Sequence, residues 1–106
     1  MKLIKNKKKH IRRLEKLEII NAFKVMGNTY RMNMLLVLKN KPGLTLDQIN
    51  GLVGGEFKNI SIHMKKLSTA GLVNKKYKGV YVQHTLTEYG KRAVISFELF
   101  SKDLNL

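Results

Sequence analysis

The sequence predicts a mainly helical domain with one small β-hairpin, in the order α-α-α-α-β-β-α. Three observations predict it. Apolar residues recur at helical spacing from about residue 10 to residue 70, the period changes to two between residues 72 and 87, and helical spacing returns from residue 88. The chain has 106 residues, room for one core, and 43% of them are hydrophobic, so it should fold rather than behave as a basic tail.

From about His10 to Met26 the residues are good helix formers, with Glu15 and Glu18 among Arg12, Arg13, Lys16 and Lys24. Ile11 and Leu14 make the first half one-sided, whereas Leu17, Ile19, Ile20, Ala22, Phe23, Val25 and Met26 occupy nearly every side of the second. A helix apolar all round is buried by neighbours on several faces. This one is too short for lipid, so a second subunit is the expected neighbour.

Gly27 ends that helix, and the short side chain of Asn28 caps the next, which runs to about Leu38 with Met32, Leu35, Leu36 and Leu38 as core. Lys39-Asn40-Lys41-Pro42-Gly43 reads as a loop, with the chain's only proline as its stop signal. Thr45 or Asp47 then starts a short helix through Gln48, Ile49, Leu52 and Val53, which halts at Gly54-Gly55. A fourth helix spans residues 56–70 and is closed by Gly71.

Residues 72–78 and 80–87 read as strands rich in Val, Tyr and Thr, joined at Lys78-Gly79. On the second, Val80, Val82, His84 and Leu86 share one face, and Tyr81, Gln83 and Thr85 the other. Thr87 can cap a last helix over residues 88–104, with Glu88 in its first turn, where the helix dipole favours an anion. A basic helical unit followed by a hairpin is the arrangement of a winged helix-turn-helix. Residues 1–9 form a basic arm, and residues 10–106 a single domain.

The formal charge is +14, and all of the excess lies in residues 1–87, because residues 88–106 carry three basic and three acidic residues. Solubility alone needs a net charge of only about 2 to 8, so a polyanion is the expected partner of the first 87 residues. On the fourth helix, Ile60, Met64 and Leu67, with Phe57 beside them, form the core side. Opposite lie Lys58, Ile62, Lys65 and Thr69, flanked by Asn59, Ser61 and Lys66. Such a face carries Lys for phosphate or guanine, Asn for adenine, and Ser or Thr for either. Ile62 either meets a thymine methyl or packs on the hairpin or another chain. Lys75, Lys76 and Lys78, with no acidic neighbour in the hairpin, are expected on phosphates, with Tyr81 beside them.

Gly27-Asn28-Thr29-Tyr30-Arg31-Met32-Asn33-Met34-Leu35 resembles the "G-[DN]-P-T-R-x-x-I-L" opening of arsenical-resistance-repressor-type winged helices. Ser61-x-His63-Met64-Lys65-x-Leu67-x-x-Ala70-Gly71-Leu72-Val73 is similar to their "S-x-H-L-x-x-L-x-x-A-G-L-V", and the stretch from Val73 to Thr87 resembles their wing without a gap. Multidrug-responsive and archaeal winged helices share these features. The resemblance covers residues 20–92 and implies a homodimeric DNA-binding transcription regulator, with Phe57 through Ala70 as recognition helix and Lys75 through Gln83 as wing. Three departures stand out. Without cysteine the family's Cys-containing metal motif is impossible, Thr29-Tyr30 replaces Pro-Thr, and Ile62 stands where an Arg is common.

Other chemistry has little support. His10, His63 and His84 lack zinc-site spacing, and Gly54-Gly55 lacks the Gly-Lys-Ser/Thr ending of a phosphate loop. His63, at the edge of the core stripe, is expected to bond a neighbouring backbone or a phosphate. The scattered acids suggest no acid–base pair, so neither an enzyme nor a metal or other cofactor is expected. The longest apolar run, Met34 to Leu38, is far below the roughly 20 residues of a membrane span, and a cytoplasmic, nucleoid-associated protein follows. Two functions remain: a sequence-specific regulator, favoured by the polar face of the fourth helix, or an architectural or assembly module. No effector is specified.

The last helix carries Tyr89, Ala93, Phe97, Phe100 and Leu104 in a continuous stripe, widened by Val94 and Leu99. With the excess around Ile19, Ile20 and Phe23, these surfaces are expected to be buried against their symmetry mates. A two-fold dimer would present two reading helices about 34 Å apart, one turn of duplex, and imply a near-palindromic site.

Overall fold

The computed structural model describes residues 13–103. The Lys-rich arm at residues 1–9, the helix start at His10 and the stripe residue Leu104 lie outside them. Five helices and one antiparallel hairpin follow in the expected order: α1 (Arg13–Met26), α2 (Thr29–Asn40), α3 (Leu46–Val53), α4 (Phe57–Thr69), β1 (Val73–Lys78), β2 (Tyr81–Leu86) and α5 (Glu88–Asp103).

Local chemistry sets the helix starts. The Asn28 side chain accepts the Arg31 backbone N–H at 3.0 Å. Thr45, rather than Asp47, caps α3, in a capping box in which Gln48 reaches back to the Thr45 N–H. The Thr87 hydroxyl accepts from Gly90 N–H at 2.8 Å and donates to the Gly71 carbonyl at 2.7 Å, so α5 is tied to the end of α4.

Helix α2 is the hub, packing on α1, α3, α4, α5 and β2. Its Met34, Leu35 and Leu38 are fully buried together with Ile49, Ile60, Met64, Leu67, Leu72 and Val94, while Leu36 is only half-buried. Phe57 does not join this core: it stands at the first position of α4 and is 49% exposed, because the turn through Gly54-Gly55 brings no helix over it. Val94, expected to widen the apolar stripe of α5, is instead buried in the monomer's own core.

The hairpin also differs from expectation. Leu72 precedes the strand as a buried bend residue, and Val80 belongs to the turn, 91% exposed, because Lys78 pairs with Tyr81 and leaves Gly79-Val80 as the loop. Gly79 supplies the left-handed φ of 60° that this turn needs. Leu44 makes an isolated antiparallel bridge to the hairpin: its carbonyl accepts the His84 N–H, and Gly43 N–H bonds the His84 carbonyl.

Candidate nucleic-acid interface

Helix α4 is divided lengthwise. Ile60, Met64 and Leu67 are fully buried, while Lys58, Asn59, Ile62, Lys65, Lys66 and Thr69 are exposed and Ser61 is half-buried. The helix carries no acid, and among the described residues its lysines enter no ion pair. Ion pairs between described residues lie elsewhere, such as Lys39 with Glu98 and Lys91 with Glu88.

The wing register divides the hairpin lysines. Lys76 opposite Gln83 and Lys78 opposite Tyr81 share one face; Lys75 lies on the other, opposite His84. His84 is buried, with its Nδ1 3.0 Å from the Leu44 carbonyl, which can only accept, so Nδ1 carries the proton. Burial holds its pKa below the ordinary value, with Lys75 adding to that and the Leu44 carbonyl opposing it.

Within the chain His63 bonds a side chain rather than the neighbouring backbone. Its Nδ1 lies 3.1 Å from Arg31 Nη1, and its ring stacks on Tyr30 with centroids 5.7 Å apart and planes inclined by 13°. The Arg31 Nε–H also donates to the Val25 carbonyl in the last turn of α1. Burial first, then Arg31 and Lys66, hold the His63 pKa down. Tyr30 and Arg31 carried no site signal in the sequence, since 32 residues separate Arg31 from His63.

On the far side, α1 and α5 flank an open apolar groove of about 690 Å³, floored by Met32 and Leu36 of α2 and walled by Phe23, Phe97 and Phe100. Phe23 and Phe100 are 62% and 66% exposed, and Ile20, Tyr89 and Phe97 are also exposed. Ala93 is half-buried against the monomer's own core. Among the described residues no group of three or more metal-ligating side chains occurs, and no helix is long and apolar enough to cross a membrane.

No protein-family model and no curated protein matches the chain. Its fold has solved counterparts. The homodimeric winged helix-turn-helix DNA-binding domain of a possible ArsR-family transcriptional regulator from Mycobacterium bovis is similar over 89% of this chain and 88% of its own, with a TM-score of 0.77 and 18% identity. HlyU from Vibrio cholerae is similar over 86% of this chain and 96% of its own, with a TM-score of 0.72 and 22% identity. A predicted DNA-binding transcriptional regulator from E. coli is similar over 83% and 94%, with a TM-score of 0.71 and 15% identity. The fold of this chain is therefore a winged helix-turn-helix, and its structural neighbours include regulators of the type that the Gly27–Leu35 and Ser61–Val73 motifs resemble.

Proposed function

We propose that this winged helix-turn-helix chain is a sequence-specific double-stranded DNA-binding transcription regulator that acts as a homodimer, with α4 in the major groove and the wing on the backbone. The lengthwise division of α4 carries the reading: a fully buried stripe holds the helix while a basic, acid-free polar face stands in solvent. Lys58 and Lys65 match phosphate or guanine acceptors, Asn59 matches the paired acceptor and donor of adenine, and the exposed Ile62 offers a thymine methyl an apolar contact. Lys76 and Lys78 on one wing face add phosphate contacts, which give affinity without sequence information.

The α1 and α5 apolar surfaces support the homodimer. A second copy's helices fill a groove of this kind, and the zero net charge of residues 88–106 keeps like charge out of the α5 side of the contact. The test is a mobility-shift assay on the protein's own upstream DNA with and without excess random competitor. Retention under competitor, with Asn59→Ala costing about 1–3 kcal/mol on that DNA alone, supports the regulator. Uniform loss under competitor, or equal losses for Asn59→Ala on specific and random DNA, points to a non-specific architectural or assembly module.

A further inference from the structure

Three elements meet at the ring of His63. It lies on α4 one turn from Asn59 and three residues before Lys66, so the three side chains share one ridge of the helix surface. Asn59 and His63 line the same small recess, with Tyr30 of α2 and Glu56 of the α3–α4 turn. The Arg31 guanidinium spans the gap between elements, with Nη1 on His63 Nδ1 and Nε on the Val25 carbonyl at the end of α1. Its own backbone is held by the Asn28 cap.

A guanidinium has only donors and stays charged throughout the physiological range. Nδ1 of His63 must therefore present its lone pair, and the single ring proton sits on Nε2. Resting on the DNA-reading assignment of α4, we propose that His63 is a positioning residue for the reading face, working only as the neutral imidazole: Arg31 latches it to α1 and α2, and uptake of a proton opens the latch and loosens Asn59 and Lys66.

Protonation makes both ring nitrogens donors, so an N–H faces an N–H and two positive charges face each other across 3.1 Å. The charged surroundings do not compensate. Arg31 on α2 and Lys66 on α4 both oppose a charged ring, and α1 enters the cluster only as the Val25 carbonyl that Arg31 occupies. Tyr30 contributes a neutral ring, and Glu56, the carboxylate of the recess, is exposed to solvent. The lowered pKa of the ring agrees with this balance. The latch is complete above the ordinary histidine value of about 6.5 and is lost as pH falls through the lowered value of the docked ring.

A second effect has the opposite sign. Extra positive charge on α4 raises affinity for any duplex, so the latch shows itself in the preference for one duplex over another. The experiment enriches a preferred duplex from a random library at about pH 8, then follows the affinity ratio of that duplex to a scrambled one down to about pH 5, by fluorescence anisotropy on the full chain. The ratio for the unaltered protein should fall about tenfold for each pKa unit separating the docked from the released ring. His63→Asn, whose amide oxygen stands where Nδ1 does and can still accept from Arg31 but takes up no proton, should keep its ratio across the range.

Imidazole nitrogen NMR of the unaltered chain checks the tautomer without a variant, and should place the His63 proton on Nε2. Parallel pH profiles for the two proteins, or a proton on Nδ1 in the unaltered chain, overturn the latch while leaving DNA reading intact. Enrichment of no preferred duplex removes the DNA-reading assignment, and this inference falls with it.

Discussion

Replacing Gly90 by Ala sets two known energies against each other. An added Cβ would lie 3.0 Å from the Leu72 carbonyl carbon and deep within the radius of its oxygen. The oxygen is the nearest atom and intrudes furthest, since even a close C–H···O contact needs about 3.3 Å, so α5 must withdraw from the turn by about 1 Å or more. That stretches the Thr87 N–H bond to the Leu72 carbonyl, now 3.1 Å, and the Thr87 hydroxyl bond to the Gly71 carbonyl, now 2.7 Å. Each is worth about 1 kcal/mol net. Partial unseating of the fully buried Val94 costs about 1 kcal/mol more. Against this total, Ala gains about 1 kcal/mol over Gly in a helix. The expected net is a loss of about 2 kcal/mol, or a melting temperature lower by about 8–16 °C for a domain this small. Gly51→Ala is the control, since that exposed glycine of α3 has open space around its Cβ; only the helix gain operates there, and stability should rise by up to about 1 kcal/mol. Urea unfolding followed by circular dichroism reads both variants. If Gly90→Ala is as stable as the unaltered chain while Gly51→Ala behaves as stated, α5 does not approach Leu72 this closely and the argument for its seating is wrong.

Phe97→Glu with Phe100→Glu alters two exposed residues of the groove, so the monomer should stay folded while light scattering shows loss of the dimer and DNA affinity falls; a folded, dimeric and fully active variant would exclude the groove as the interface. Lys76→Ala with Lys78→Ala should lower the slope of log affinity against log salt by roughly 0.9 per lost phosphate contact on every duplex, and an unchanged slope would take that wing face off the DNA. For His84, whose folded pKa is depressed by burial, the stabilisation is complete above about pH 6.5 and is lost as pH falls through the depressed value. The stability advantage of the unaltered chain over His84→Gln should therefore shrink from about pH 8 to about pH 5, and a pH-independent difference in urea midpoint would show that the ring titrates alike in the folded and unfolded chain.

Much of the fold is legible because its signals are local. Asn28, Thr45 and Thr87 cap helices through bonds to backbone groups three residues ahead, and Gly71 ends α4 with a φ of 78°. Ile60, Met64 and Leu67 repeat at the helical period, which already divides α4 into a core side and an outer side. The expected DNA-facing residues of α4 therefore emerge on one exposed surface, apart from the half-buried Ser61.

Where the sequence departed from the structure, the cause lay outside the residue's own periodicity. Phe57 has the right phase for the core, yet no other element covers the first turn of α4. Val80 alternates correctly with Val82, but the Lys78–Tyr81 pairing assigns it to the turn. Leu44 makes its bridge only because His84 comes alongside, and Gly90 is required only because Leu72 does. The same holds for the Arg31–His63 bond between α2 and α4. Periodicity and capping depend on groups within a turn of one another, so the sequence alone determined the elements, their order and the exposed face of α4. Which surfaces stay uncovered, how closely α5 approaches Leu72 and which nitrogen of His63 and of His84 holds its proton depend on backbone and side-chain groups brought together from 18 to 40 residues apart, and only the packed structure decides them.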